Sequence, residues 1–460
     1  MNELDLVLSD GLIIDARGRR RASIGIQDGR IVGLYAVGTE PPAKETIQVN
    51  GRAVIPGFVD THTHHREPGY THKEDIDTAT RACAAGGVTT TVAMPNVYPV
   101  PNTAERLRAM MELYEQKAIV DWNINPAGTI VEEIPRLAAM HVPAMKIFMV
   151  VDTGRDYPHM PGLGVHEHGK LMAIMEACAA ADIPLMVHPH DQSLMDHIEQ
   201  QFWARGERDC LAYAKAYAAH DGLIWETAIA VLLRLQQATG CHLHILHVQT
   251  ERSVQMLREA KARGQKVTAE INPWALFLGH SWETIERLGS YALSYWVPEK
   301  NLPALWQGLN DGTIDIVATD HAPHTREEKE IGWTDGWKAS TGTPSVQFYL
   351  SLMFDAASKG LISYERVVEA CATAPARLFR MHQKGRIDIG ADADLVIVDL
   401  DAEKEISEAE VLSRIGHTPY AGRKVRGVPL RTIVRGTTVY QDGRVTGKNG
   451  YGRLARCGDR

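Results

Sequence analysis

Short apolar runs recur from Val54 to Thr319, and most are followed by a stretch whose apolar positions fall at helical spacing. The candidate strands are residues 54–61, 88–95, 120–127, 144–149, 183–188, 242–248, 266–272 and 314–319. Connecting stretches such as KLMAIMEACAAAD and RSVQMLREAKARG carry the helical pattern. Eight such alternations predict an α/β fold, a (β/α)8 TIM-type barrel. An open, doubly wound sheet is the alternative, weakened because no GxGxxG follows an early strand. The flanks read differently. DLVLSDGLIID and ASIGIQDGRIVGLYA place turn chemistry, Asp10-Gly11 and Asp28-Gly29, between β-branched runs. KGRIDIGADADLVIVDLD and RTIVRGTTVYQDGRV predict two further hairpins. These strands have no helices to pair with. Residues 1–53 and 383–460 are therefore expected to form one small β-sandwich beside a barrel spanning 54–382.

Composition narrows the function classes. The 460 residues are 44% hydrophobic and 23% charged, ordinary for a globular chain of more than one core. A net charge of -8 and a pI near 6.2 argue against nucleic acid and anionic membranes as partners. The cysteines at 83, 178, 210, 241, 371 and 457 form no CxxC pair, which fits a reduced, cytoplasmic protein. MNELDLVLSD has neither a basic n-region nor an apolar h-region, so no secretory signal is expected. No apolar run approaches the roughly 18 residues of a membrane span.

The chemistry-bearing residues sit where a barrel places its active site, at the carboxyl ends of the strands. His62 and His64 end the first strand, and residues two apart on a strand share a face. Neutral imidazoles so paired can form half of a metal site, although an HxH pair can also arise by chance among 20 histidines. Lys146 lies in AMKIFM on the fourth strand, where an unpaired ammonium would be costly to bury. A desolvated lysine can instead react as a neutral amine with carbon dioxide, giving an anionic carbamate able to bridge two metals. His188 closes the fifth strand, with His190 sharing its parity as a second candidate. In HLHILHV, His247 has opposite parity to His242 and His244, and parity alone does not choose which set faces inward. Asp320 closes DIVATD on the eighth strand, the position of a metal ligand or general base.

These residues and their flanks resemble the cyclic amidohydrolases, the dihydroorotase, allantoinase and hydantoinase/dihydropyrimidinase group. The likeness spans PGFVDTHTH (56–64), REPG (66–69), GGVTTTVAMPN (86–96), KIFM (146–149), VH (187–188), HILHVQT (244–250), ATDHAPHT (318–325), APARLF (374–379) and GADADLVIVD (390–399). It implies a metal-binding barrel with a sandwich built from both termini. It also implies one divalent metal on His62, His64 and Asp320, and a second on His188 and His247. Carboxylated Lys146 would bridge them, which would settle the parity question for His247. Zinc is the expected metal, with manganese or cobalt as alternatives. The implied reaction is hydrolytic ring opening of a cyclic amide by hydroxide generated on the cations, with Asp320 relaying the proton. A homodimer or homotetramer is expected by the same resemblance.

The resemblance also bears on which ring is opened. Arg66, Asn96 and His324 match positions that hold the substrate carboxylate in dihydroorotases, and an Arg fork with two further donors suits that group. The chain departs from the family pattern elsewhere. Pro189-His190-Asp191 follows His188, and Pro273-Trp274 stands where relatives have Pro-His or Pro-Gln. Val297-Pro298-Glu299-Lys300 replaces a Pro-Pro-Leu-Arg segment. Val150-Val151 lacks the tyrosine of hydantoinases, yet GWTDGWKA (332–339) resembles some of them. Trp274, Trp296, Trp333 and Trp337 are candidates for an apolar pocket or for core. The Gly/Pro-rich segment 151–168 is a candidate lid whose His159, His166 and His168 read as solvated. The main expectation is a dihydroorotate-like substrate, with a hydantoin, dihydropyrimidine or allantoin as alternative. A linear amide, a thiocarbamate or a non-catalytic scaffold of the same fold is the remoter reading.

Overall fold

The structure, a computed structural model, describes residues 3–150, 162–278, 281–292 and 298–458. The chain enters through β1 (Leu4–Asp15), β2 (Gly18–Gln27), β3 (Arg30–Tyr35), β4 (Ala43–Gln48) and β5 (Ala53–Pro56). It continues through β6 (Phe58–Thr63), β7 (Val88–Ala93), β8 (Asp121–Ile124), β9 (Met145–Phe148), β10 (Leu185–His188), β11 (Leu243–Ile245), β12 (Val267–Ile271) and β13 (Ile316–Val317). It leaves through β14 (Leu395–Glu405), β15 (Lys424–Val434), β16 (Thr437–Gln441) and β17 (Arg444–Val445).

Strands β6 to β8 pair in parallel, as do β9 to β13. Parallel bridges close the ring: Ala127 to Lys146 on one side, Thr63 to His321 on the other. The result is the (β/α)8 barrel that the alternation predicted. Its outer helices form for local reasons. The helix Glu251–Ala262 is capped by Thr250, whose side chain accepts from the Ser253 N–H, and it buries Val254, Leu257 and Ala260 along one stripe. The helix Ile76–Ala85 starts at an Asp75/Thr78 capping box. Inside the barrel Val59, Val92, Ala144, Met186, Leu246 and Ile316 pack together, while Ile147, Leu185, Val187 and Ile245 face the helices. Burying each large apolar side chain is worth about 1.5–3 kcal/mol, so this double-sided burial holds the strand ends rigid.

The terminal strands share one nine-stranded sheet, in the order β17-β16-β15-β14-β5-β1-β2-β3 with β4 on β1. Its own core includes Leu6, Leu8, Ile24, Val54, Leu395 and Ile433. The contact between sheet and barrel is partly ionic. Lys384, buried, is bound by Asp121 of β8, by Asp392 at 2.9 Å and by Asp394 at 2.8 Å, and Arg435 also pairs with Asp121.

Three local expectations need correction. The run 54–61 is not one strand: Ala53–Pro56 pairs with β1 and β14 in the terminal sheet, and β6 starts after Gly57. A Cβ at Gly57 would lie 2.1 Å from the Thr89 hydroxyl, so only glycine lets the chain pass from one sheet to the other here. Asp10-Gly11 is no hairpin turn; Asp10 adopts φ 61° inside a β1 bulge, and the strand continues. Arg386–Ile389 forms no strand with β14. The segment instead meets β3, where the Gly390 N–H donates to the Ile31 carbonyl at 2.8 Å.

Candidate metal centre

Most of the candidate side chains lie at or just beyond the carboxyl ends of barrel strands. His62 is the penultimate residue of β6, and His64 follows it directly. Lys146 lies within β9, His188 ends β10, and Glu270 lies near the end of β12. His247 and Asp320 come two and three residues after β11 and β13. That overshoot decides the parity question. Because β11 stops at Ile245 and His247 turns into left-handed backbone at φ 46°, the alternation is reset, and both His244 and His247 reach Glu270 or Asp320. Asp320 (φ 47°) and Arg66 (φ 61°) share this uncommon conformation. Non-glycine residues held there cluster at functional sites.

The side chains converge. The Nε2 atoms of His62 and His64 lie 3.1 and 3.0 Å from Asp320 Oδ1, and His247 Nε2 lies 3.8 Å from Oδ2. One ligand atom from each of His62, His247 and Asp320 falls within 4.8 Å of the others. The His188 and His247 ring centres are 4.7 Å apart, and those of His62 and His247 are 5.1 Å apart. All are buried. Lys146 is wholly buried with its Nζ 4.1 Å from the Phe148 ring centre, and that Nζ has no hydrogen-bond partner among the described residues.

Burial sets the protonation states. It pushes His64 and His247 down to about 3 and His188 well below the ordinary histidine value, so these imidazoles are neutral and present lone pairs. Burial likewise brings the Lys146 amine down to about 7, even though Glu270 and Asp320 draw it upward. His62 is the exception. Burial would lower it, but the Glu270 and Asp320 carboxylates together outweigh that and raise it to about 9. Buried neutral imidazoles, a carboxylate and an orphaned amine are the donor set of a divalent cation, and the residues present fit one.

Of the substrate-side candidates, Arg66 and His324 meet. Arg66 is buried, with Nε donating to the Pro323 carbonyl at 3.2 Å and Nη2 lying 3.0 Å from His324 Nε2. Lys73, buried beside them, lies 3.4 Å from His324 Nδ1 and pairs with Glu328. Glu67 is bound instead by Lys117 and by the Ile76 N–H at 3.1 Å. Asn96 is buried three residues past β7. His190 is buried between Tyr217 and Trp225, its ring centre 6.4 Å from that of His188. Trp274 packs 6.5 Å from the His247 ring, whereas Trp337 belongs to a separate aromatic cluster with Trp203 and Tyr213 and donates to Glu199 at 3.0 Å. Trp333 is 42% exposed. Trp296, Val297, His159 and most of the candidate lid lie outside the described residues, while His166 and His168 are exposed.

Sequence reasoning missed Glu270 and Lys73. Glu270, wholly buried, accepts from His62 Nδ1 at 2.5 Å, and His244 Nε2 lies 3.5 Å away. Burial would raise its carboxyl, yet His62 and His244 hold it below the usual range. A carboxylate in the apolar run VTAEI was the available signal. For Lys73, in the polar stretch THKED, there was none.

A closed barrel with histidines, a lysine and an aspartate gathered at its carboxyl mouth is the architecture of a metal-dependent hydrolase. The comparisons agree: residues 53–439 match the amidohydrolase family. The chain is 30% identical over 457 residues to an L-hydantoinase of Paenarthrobacter aurescens, covering 98% of this chain and 97% of that one. It is 34% identical over 439 residues to a dihydroorotase of Lactobacillus gasseri, covering 95% and 99%. Among solved structures, an L-hydantoinase (dihydropyrimidinase) from Arthrobacter aurescens superposes with a TM-score of 0.92 at 29% identity, over 98% of this chain and 99% of that one. The protein belongs to the amidohydrolase family.

Proposed function

We propose that the protein is a cyclic amidohydrolase that opens the ring of a small carboxylate-bearing cyclic amide of the dihydroorotate type. The observation that carries the substrate reading is the buried cluster of Arg66 and Lys73 around His324 at the barrel mouth. A buried guanidinium is suited to a carboxylate through two parallel N–H donors, and Asn96, buried just past the carboxyl end of β7, would add an amide.

His62, His64 and Asp320 would hold one divalent cation and His188 and His247 the other, with a carboxylated Lys146 between them; zinc suits these ligands, as do manganese and cobalt. When bound, the cations supply Lewis acidity that activates water and polarises the ring carbonyl. Asp320 stays ionised because His62 and His64 outweigh the effect of its burial, so it can take the proton of the attacking water. It then returns that proton to the departing ring nitrogen, and the ring opens to a carbamoyl or amino acid. Arg66 and His324 fix the ring through its carboxylate, which sets the scissile carbonyl against Asp320. The family resemblance supports a homodimer or homotetramer. The six buried cysteines form no disulfide, which supports a reduced, cytoplasmic setting. No helix among the described residues is long and apolar enough to cross a membrane.

A second reading, opening of a hydantoin, is favoured by the likeness to the L-hydantoinase over nearly the whole chain. A panel of dihydroorotate, allantoin, dihydrouracil and 5-substituted hydantoins separates the two. On the first reading, Arg66→Ala lowers kcat/KM for dihydroorotate by about 100-fold, the scale of a lost charge-assisted contact, and spares neutral rings. Equal losses on charged and neutral rings would refute the carboxylate assignment.

A further inference from the structure

The residue with no place in the mechanism above is Glu270. It is wholly buried, and its Oε1 is hydrogen-bonded by groups under the site while Oε2 has a histidine nitrogen nearby. Oε1 accepts from His62 Nδ1 at 2.5 Å and from Asn272 Nδ2 at 3.2 Å, while His244 Nε2 lies 3.5 Å from Oε2. The two partners are themselves anchored. Asn272 donates its other amide hydrogen to the Ala318 carbonyl at 2.9 Å, and the His244 Nδ1 lies 2.8 Å from the Thr268 hydroxyl. The carboxylate is thus fixed from β12 and from the segment leading to Asp320, and it reaches past β13 to His62 of β6.

A neutral imidazole has one N–H and one lone pair, and a hydrogen bond at one nitrogen decides where the other's lone pair is. With Nδ1–H committed to Glu270, the proton that His62 would give up to a bound cation is the one on Nε2, the atom that faces Asp320 at 3.1 Å, and the lone pair would then be on Nε2. Two divalent cations would also bring more positive charge than Asp320 and a lysine carbamate offset. A further buried carboxylate beside His62 supplies the balance.

We propose that Glu270 is a positioning residue that locks His62 in the Nε2-ligand tautomer and supplies a buried counter-charge for the metal centre. This rests on the metal-centre reading above. A partner of this kind typically changes metal affinity by about 10- to 100-fold. Glu270→Gln keeps an acceptor for Nδ1–H but removes the charge; Glu270→Ala removes both. The test is metal affinity by competition with a chromophoric chelator, together with metal content, kcat, KM and the apo-protein melting temperature for each variant. Expected is a graded loss of zinc affinity, about 10-fold for Gln and about 100-fold for Ala, with kcat falling in step and KM little changed. A role confined to packing would lower the melting temperature without this grading, and that result overturns the proposal. So does zinc affinity in both variants equal to that of the unaltered protein. Should Glu270→Ala not fold, the near-isosteric Glu270→Gln alone decides, by the same affinity criterion. Absence of metal binding by the unaltered protein would instead overturn the underlying metal-centre reading.

Discussion

At the residue scale, Lys146 is the position whose chemistry is hardest to explain without the proposed centre. A lysine amine wholly buried, without a hydrogen-bond partner among the described residues, costs several kcal/mol if charged, and its lowered value of about 7 reflects that cost. Carboxylation in the proposed centre would remove the problem by turning the amine into an anionic ligand. We expect Lys146→Ala to bind metal with less than the unaltered stoichiometry and to lose at least about 100-fold in kcat, as when a strong electrostatic stabiliser is removed. Metal analysis alongside turnover checks this, and full retained activity would exclude the bridge. Legibility in the sequence at this scale was uneven. His62, His64, His188 and Asp320 stood out because each follows an apolar strand. His247 could not be assigned by parity, since β11 ends two residues earlier and the left-handed turn at His247 resets the alternation. Glu270 was hidden because a single carboxylate in a five-residue strand resembles an edge or solvent-facing position. Only the barrel's closure shows that it lies beneath His62.

At the element scale, the alternation of apolar strands and amphipathic helices was enough to read a barrel, because parallel strands buried on both faces are continuous apolar runs. Element ends were less legible. The run 54–61 carried one hydrophobic signal across two strands of different sheets, and no local pattern marks Gly57 as the crossing point. What forces the break is a contact with Thr89, more than thirty positions away. Gly57→Ala is therefore expected to destabilise the fold by about 1–3 kcal/mol through overpacking, lowering the urea midpoint with little change in m. An unchanged midpoint would show that β6 and β7 can separate there. Since β6 carries His62 and His64, reduced metal affinity should accompany the loss of stability.

At the scale of the whole molecule, the terminal sheet and the barrel are joined by buried charge as well as by apolar packing. Lys384 sits among Asp121, Asp392 and Asp394, and it fills the acidic cluster that would otherwise resemble a cation site. Removing one partner from such a network leaves uncompensated buried charge, which costs about 3–5 kcal/mol. Lys384→Met should therefore lower the unfolding free energy by that order, in chemical denaturation, without altering the metal content of the folded fraction. A change below about 0.5 kcal/mol would mean that solvent reaches the cluster. The central claim for the whole molecule is that this barrel opens a cyclic amide and needs its metal centre to do so. It is tested most directly by assaying the purified protein on the ring panel before chelation, after chelation, and after zinc, manganese or cobalt is returned. Ring opening should be lost with the metal and recovered on its return, with about two metal equivalents per chain at full activity. Undiminished turnover of a ring amide by the metal-stripped protein would contradict it.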